Sequence, residues 1–196
     1  MEKNGIKKLL LSDLLYNASK TQKIAYVGVL TALLVVCNMF FEIKFAEIQF
    51  SLTIFCSAFA GILIGPIFGF VASFMGDLVG FLYNSAGYLY VPWIGIAMGV
   101  VSLISGLVVN GINLKFKGEI YVKLLIVSLL TFLICTVGIN TTVLWIIRTA
   151  KKVPYTTYAF TRLIIEGQIY NSLVNYGLLF IAVPIIGKIK YFKLNY

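Results

Sequence analysis

Long apolar runs, separated by short segments that carry most of the charge, constrain this chain more than any other feature of its sequence. Hydrophobic residues make up 60% of the chain and charged residues 12%, whereas about a quarter of a soluble domain is charged. So little polar surface cannot cover a protein that faces water. Helical runs of roughly 20 apolar residues match the thickness of a bilayer. The sequence therefore predicts a multi-pass membrane protein with no room for a soluble catalytic domain.

We expect a single domain, an all-α bundle of six transmembrane helices. Residues 1–23 are expected to form a cytoplasmic amphipathic segment rather than a secretory signal, and residues 188–196 a basic cytoplasmic tail. Gly65-Pro66 alone separates the second and third apolar runs, which predicts a tight hairpin at that point. Within residues 24–187, the predicted spans are 24–41, 50–64, 67–82, 92–112, 124–147 and 158–186.

The distribution of basic residues predicts the orientation of the bundle. Six crossings place both termini on the same side, and the positive-inside rule makes that side cytoplasmic because it collects more basic residues. Eleven lysines fall on it: Lys3, Lys7, Lys8, Lys20, Lys23, Lys115, Lys117, Lys123, Lys188, Lys190 and Lys193. Four basic residues fall on the opposite side: Lys44, Arg148, Lys151 and Lys152.

Basic residues on the outer side are exceptions to this rule and deserve a separate explanation. Arg148, Lys151 and Lys152 lie close together in the chain, and Arg162 is expected just inside the membrane. One interpretation is that residues at helix ends contact lipid headgroups. The other is that the cluster draws an anionic solute to the outer mouth of the bundle.

Aromatic residues gather on the same outer side. Tyr88 and Tyr90 lie in the loop before the fourth span, and Trp93 lies at the start of that span. An interfacial aromatic belt explains residues at helix ends. Aromatic faces beside cations would also suit a flat heteroaromatic acid.

Polar residues inside the spans are costly in lipid unless they face protein or a cavity. Asp77 and Asn84 lie near the outer end of the third span. On the last span, Gln168, Asn171 and Asn175 share one helical face and form what we call the amide stripe. Hydrogen bonds between helices and recognition of a ligand both remain open for the stripe.

An arginine and a glutamate precede the amide stripe on the same predicted span. Arg162 and Glu166 are four residues apart, which predicts a pair on a roughly opposite face. Such a pair is either neutralised internally or able to hold a ligand.

Small residues recur at spacings that let helices approach closely. On the first span, Ala25, Gly28 and Ala32 form a strip that serves either packing inside the bundle or docking of a partner subunit.

The residues that several common kinds of metal binding and catalysis require are absent from this sequence. The chain has no histidine, and its three cysteines, Cys37, Cys56 and Cys135, are isolated within apolar runs, so we expect no metal site and no cofactor. No nucleotide-binding or hydrolase motif is present, and we expect no catalytic residue and no nucleic-acid partner. The chain is therefore expected to bind a solute and to obtain energy from other subunits.

Four motifs resemble those of one transporter class. They are Ile24 to Ala32 with its small-residue strip, the run Gly61-Ile-Leu-Ile-Gly-Pro-Ile-Phe-Gly-Phe70, Gly76-Asp77-Leu-Val-Gly80 before an aromatic loop, and Arg162-Leu-Ile-Ile-Glu-Gly-Gln168-Ile-Tyr-Asn171. Over residues 20–190 the chain resembles the substrate-binding S components of energy-coupling factor (ECF) vitamin transporters, and in its last helix those of the folate family.

This resemblance implies a pocket that opens outward from a bacterial plasma membrane and binds folate. It also implies that the strip on the first helix docks on a transmembrane coupling subunit that carries two ATPases, and that the S component topples to release its vitamin. By the same resemblance, Arg148 and Arg162 hold the carboxylates of folate. The pterin would stack on the loop aromatics and bond to polar residues, which gives the site as Asp77, Asn84, Tyr88, Tyr90, Trp93, Gln168 and Asn171.

Three other functions remain open from the sequence. The chain is alternatively an S component for another small heteroaromatic, such as a queuosine precursor. It is also compatible with a membrane enzyme acting on lipid, in which Asp77 and Glu166 form the acid-base pair. The last alternative is an assembly factor without a ligand.

Overall fold

The computed structural model describes residues 11–40, 42–45, 48–83, 89–112, 114, 116 and 118–188. Apart from a short antiparallel hairpin, the regular structure of these residues is helical. The elements are α1 (Asp13–Asn17), α2 (Lys20–Phe40), β1 (Glu42–Phe45), β2 (Ile48–Ser51), α3 (Thr53–Ile64), α4 (Pro66–Tyr83), α5 (Pro92–Gly111), α6 (Glu119–Thr149), α7 (155–165) and α8 (Gln168–Gly187).

Among the described residues, five helices are long and apolar enough to cross a membrane, namely α2, α4, α5, α6 and α8. Helix α3 has 12 residues and is also apolar, but it is shorter than a full crossing. Its predicted start at Phe50 is wrong, because Phe50 pairs with Ile43 in the hairpin and the helix begins only at Thr53. The fold is thus a bundle of five candidate spans and one short apolar helix. We call the end of the bundle that carries the β1–β2 hairpin the hairpin end.

The last predicted span, 158–186, is not one helix. Gly167 adopts a left-handed conformation with φ 74°, which favours glycine and separates α7 from α8. In α6, the segment Phe132–Thr141 is π-helical, but the helix continues on both sides of it. The break at Gly167 places Glu166 at the junction of α7 and α8, which matters for the site described below.

Three helices cross with almost no side chain between them, and we call this place the glycine crossing. A Cβ atom on Gly61 of α3 would stand 2.6 Å from the carbonyl carbon of Ser102 on α5. A Cβ atom on Gly69 of α4 would stand 2.6 Å from the Cα of Gly61, and one on Gly106 would stand 2.7 Å from the nitrogen of Pro66. Such distances are shorter than van der Waals contact, so glycine is required for α3, α4 and α5 to pack this closely.

An ion pair is buried at the other end of the bundle, where α5 ends and α6 begins. Lys123 is fully buried, and its Nζ lies 3.1 Å from Glu119 Oε1 and donates to the carbonyl of Val109 at 3.3 Å. Glu119 also accepts a hydrogen bond from the backbone N–H of Leu114 at 2.9 Å. Lys123, one of the eleven lysines on the side predicted to be cytoplasmic, therefore ties α6 to α5 inside the protein.

The described part of the N-terminal segment packs into the bundle. Ser12 caps α1 and donates a hydrogen bond to the carbonyl of Leu63, and Leu15 is fully buried. Residues 1–10 of the expected amphipathic segment, and 189–196 of the basic tail, lie outside the described residues.

All three cysteines are buried and unbridged, and Cys37 of α2 contacts Cys56 of α3. Buried cysteines without a bridge act as small apolar residues in the packing between helices.

Candidate functional site

A buried carboxyl group near the hairpin end anchors the first part of the site. Asp77 of α4 is 9% exposed, and its Oδ2 accepts a hydrogen bond from the hydroxyl of Tyr90 at 3.1 Å. Its Oδ1 accepts from Asn38 Nδ2 of α2 at 3.4 Å, and Asn38 Oδ1 in turn accepts from Thr53 Oγ1 of α3 at 3.4 Å. We call these four residues the Asp77 cluster. Most of its bonds are at the long end of the normal range, so a ligand with well-placed donors can compete with them.

The start of α5 lies close against the Asp77 cluster because residue 95 is a glycine. A Cβ atom on Gly95 would stand 3.0 Å from Asp77 Oδ2 and 3.1 Å from the ring of Phe74. Tyr90 is held from the other side by Phe81, whose ring centroid is 5.2 Å away. Burial raises the pKa of the Tyr90 hydroxyl, and the charge of Asp77 and the hydrogen bond to it raise that pKa further. Tyr90 is therefore a protonated donor at neutral pH.

Two arginines converge on one glutamate at the junction of α7 and α8. Arg148 Nη1 lies 3.3 Å from Glu166 Oε1, and Arg162 Nη1 lies 3.9 Å from Glu166 Oε2. The side chain of Arg162 is 7% exposed, that of Glu166 23% and that of Arg148 43%. We call these three residues the arginine cluster. The pairing of Arg162 with Glu166 that the sequence predicted is present, and Arg148 joins it.

The amide stripe of α8 faces the junction between β2 and α3. Asn175 is fully buried; its Oδ1 accepts from the backbone N–H of Phe55 at 2.8 Å, and its Nδ2 donates to the carbonyl of Ser51 at 2.7 Å. Asn171 Oδ1 accepts from the backbone N–H of Ser51 at 3.1 Å. Asn175 thus has the structural role that the sequence left open. Within the described ranges, Gln168 has no side-chain hydrogen bond, and the Asn171 amide nitrogen has no acceptor.

Buried polar atoms on α6 and α7 lack hydrogen-bond partners among the described residues. They include Asn140 Oδ1 and Arg162 Nε. A buried polar atom without a partner costs free energy, and native proteins keep few of them. Polar atoms of this kind are typical of a ligand site, where the ligand or ordered water supplies the missing partner.

Of the other predicted site residues, the structure describes only Trp93. Trp93 is 58% exposed at the start of α5 and lies outside the Asp77 cluster. Two aromatic residues that were not predicted as site residues hold the turn between α6 and α7: Trp145 donates its indole N–H to the carbonyl of Val153 at 2.7 Å and meets Tyr155 edge-on. Asn84 and Tyr88 lie outside the described residues.

Sequence reasoning missed Asn38 and Thr53. Each is a single polar residue near the end of an apolar run, and no periodicity marks it. The available signal was the cost of an amide inside a span, which is the argument that identified Asp77. No group of three or more His, Cys, Asp or Glu in the described ranges is arranged to hold a metal ion.

Comparison with known proteins gives a family and a fold. The family model for the S component of ECF-type riboflavin transporters matches residues 18–191. In fold, the chain is similar to FolT, whose crystal structure has folic acid bound. The TM-score is 0.63 at 22% sequence identity, and the match covers 85% of this chain and 93% of that chain. At this identity the likeness concerns the fold alone. A comparison with curated proteins gives no match.

Proposed function

Because the chain belongs to the family of ECF-type riboflavin transporter S components, we propose that it binds folate or a related pterin outside a bacterial cell and delivers it inward. Members of this family are membrane components of transporters, and the family is not an enzyme family. In this proposal, a transmembrane coupling subunit and two ATPases supply the energy. The observation that carries the choice of ligand is the buried Asp77 carboxyl, whose hydrogen bonds to Tyr90 and Asn38 are ones that donors of a ligand can replace.

A pterin ring has the donor pattern that the Asp77 cluster fits. Its 2-amino group and N3 donate side by side, and a carboxylate accepts two such bonds with its two oxygens. Tyr90 and Asn38 occupy those two oxygens with bonds of 3.1 and 3.4 Å. We propose that the pterin donors replace one or both of these bonds, and that Tyr90 contributes its ring face to the same site.

The arginine cluster and the start of α8 are proposed to bind the other end of the ligand. Arg148 and Arg162 offer guanidinium donors, which match a carboxylate in geometry. Gln168 and Asn171 are buried on the first turns of α8, and their amide donors are without acceptors in the described part of the chain. We also propose that the ligand contacts three residues in or next to the loop between α4 and α5, namely Asn84, Tyr88 and Trp93.

Riboflavin is the second candidate ligand, because the matching family model is that of riboflavin transporters. Its ring presents one N–H donor between two carbonyl acceptors, and a side-chain amide suits that edge better than a carboxylate does. Gln168 and Asn171 would then be the main ring contacts. The queuosine precursor stays a further possibility within the same class of small heteroaromatics.

We also propose that both termini face the cytoplasm and that the hairpin end faces outward. The excess of lysines in the segments of the sequence that were assigned to the cytoplasmic side supports this orientation. The site then lies on the side from which a vitamin arrives.

The proposed docking surface for the coupling subunit is the strip Ala25, Gly28 and Ala32 on α2. All three residues are exposed, and a Cβ atom on Gly28 would meet no heavy atom within 4 Å. The described part of the bundle therefore does not pack against the strip. A small-residue face of this kind lets a second helix approach closely.

Replacing Gly28 by leucine is expected to abolish co-purification with the coupling subunit and to leave ligand binding within about twofold of wild type, because the added side chain separates the two helices. Pull-down of co-expressed coupling subunit and ATPases by the tagged variant measures the first effect, and a binding titration measures the second. Gly177→Leu on α8 is the matched control, since its Cβ also meets nothing within 4 Å. Equal loss in both variants, or no loss in Gly28→Leu, contradicts the proposed docking surface.

A further inference from the structure

Glu166 places a negative charge where an anionic ligand would be expected to find only positive ones. It follows the last turn of α7 directly, and its backbone N–H bonds to the carbonyl of Thr161 at 2.9 Å. Gly167 then turns the chain into α8. The carboxylate is thereby held between Arg148 and Arg162, at 3.3 and 3.9 Å.

The arginine cluster has two positive charges and one negative charge. A buried guanidinium is costly without a counter-ion, and Arg162, at 7% side-chain exposure, needs one more than Arg148 does. Glu166 meets this need, but it also leaves only one net positive charge in the cluster. Lys151 and Lys152 are exposed to solvent, so water and salt screen their contribution more strongly.

A ligand with one carboxylate balances the net charge of the arginine cluster. A ligand with two carboxylates would bring three negative charges against two positive ones, and the like charges repel at short range. Unpaired like charges are a common means by which a site rejects one of two related ligands.

We propose that Glu166 limits the number of carboxylates that the site accepts, so that a pterin with one carboxylate is favoured over a pterin with two. The proposal rests on the proposed function, because it assumes a pterin-binding site. It names the substrate class more closely, as a pterin whose tail carries a single negative charge.

The test compares folate, which has two carboxylates, with pteroate, which has one, in the purified full-length protein. In Glu166→Gln, the affinity for folate relative to pteroate is expected to rise about tenfold over its wild-type value, as one negative charge near 4 Å is removed. Because the ratio is compared between proteins, differences in ligand size cancel. Glu166→Asp keeps the charge and is expected to keep the wild-type ratio.

Lys152→Gln is the matched control for net charge, since it changes the charge by one at an exposed position of the same region. It is expected to leave the ratio within about twofold because exposed charges are screened. A thermal melt of each variant checks that it is folded.

The outcomes separate the inference from the proposed function. If both ligands bind and the ratio is the same in wild type and Glu166→Gln, the inference is wrong and the pterin proposal stands. If wild type binds neither ligand but Glu166→Gln binds folate, the inference is supported and the pterin proposal for the natural chain is wrong. If neither protein binds either ligand, both are overturned.

Discussion

Replacing Asp77 by asparagine is expected to weaken pterin binding about a hundredfold and to leave riboflavin binding within about tenfold of wild type. A pterin would lose charge-assisted hydrogen bonds from its 2-amino group and N3, and hydrogen bonds to charged groups contribute about 1.5–3 kcal/mol each. Asparagine offers one acceptor and one donor, a pattern that suits the riboflavin edge and not the paired donors of a pterin. The wild-type protein and Asp77→Asn are each titrated with both ligands, and calorimetry or tryptophan fluorescence measures the affinities.

The control for this prediction is Tyr90→Phe. It removes one of the donors that now occupy Asp77 but keeps the carboxyl group and the aromatic ring. We expect pterin affinity to stay within about fivefold of wild type, since the ligand would replace that donor. Equal pterin affinity in wild type and Asp77→Asn would exclude Asp77 from the site. A loss that Tyr90→Phe reproduces in full would assign the effect to the architecture of the cluster.

Replacing Gly61 by alanine is expected to be the most destabilising single methyl addition in the described helices. The new Cβ atom would stand 2.6 Å from the carbonyl carbon of Ser102, and backbone atoms of α5 cannot move aside without separating the helices. Overpacking of this kind costs about 1–3 kcal/mol or more. A thermal melt in detergent should show a midpoint lowered by about 5–10 °C or a loss of the folded peak in gel filtration.

Gly177→Ala is the control for the glycine crossing. Its Cβ atom would meet nothing within 4 Å, so the same chemical change has no steric cost there. Alanine also favours the helix by about 1 kcal/mol relative to glycine, which makes a neutral or raised melting temperature the expectation. Equal melting temperatures for the two variants would contradict the close approach of α3 and α5 at Gly61.

Much of this fold follows from hydropathy and glycine placement in the sequence. The predicted spans 67–82 and 92–112 correspond to Pro66–Tyr83 and Pro92–Gly111, because proline begins each of these helices and polar or glycine-containing loops follow. Membership in the S-component class, which the motifs indicated, is confirmed by the match over residues 18–191. The β1–β2 hairpin was not predicted, although Glu42-Ile-Lys-Phe45 and Ile48-Gln-Phe-Ser51 both alternate polar and apolar positions, because strands of four residues between long apolar runs give only a short pattern.

The break between α7 and α8 could not be predicted from the sequence pattern. Glycine is common in membrane helices, so Gly167, between Glu166 and Gln168, did not signal an interruption. Only the left-handed φ of 74° reveals it. The pair Arg162–Glu166 was nevertheless predictable from its spacing of four residues, whereas the approach of Arg148 depends on how α6 and α7 pack.

The residue types of the candidate site could be predicted from the sequence, but the contacts between these residues could not. The cost of a carboxyl group in a span singled out Asp77, and the loop aromatics singled out Tyr90; the structure joins them at 3.1 Å. Asn38 comes from a helix that is far away in sequence, so its contact with Asp77 depends on tertiary packing. The same packing commits Asn175 to the backbone of Ser51 and Phe55.

The most direct test of the account is binding of folate, pteroate and riboflavin to the purified wild-type protein. Each ligand is titrated into protein in nanodiscs, with native mass spectrometry to count the bound molecules and quenching of Trp93 and Trp145 to follow saturation. We expect saturable binding of one pterin molecule per chain. Binding of riboflavin alone, or of none of the three, would contradict it.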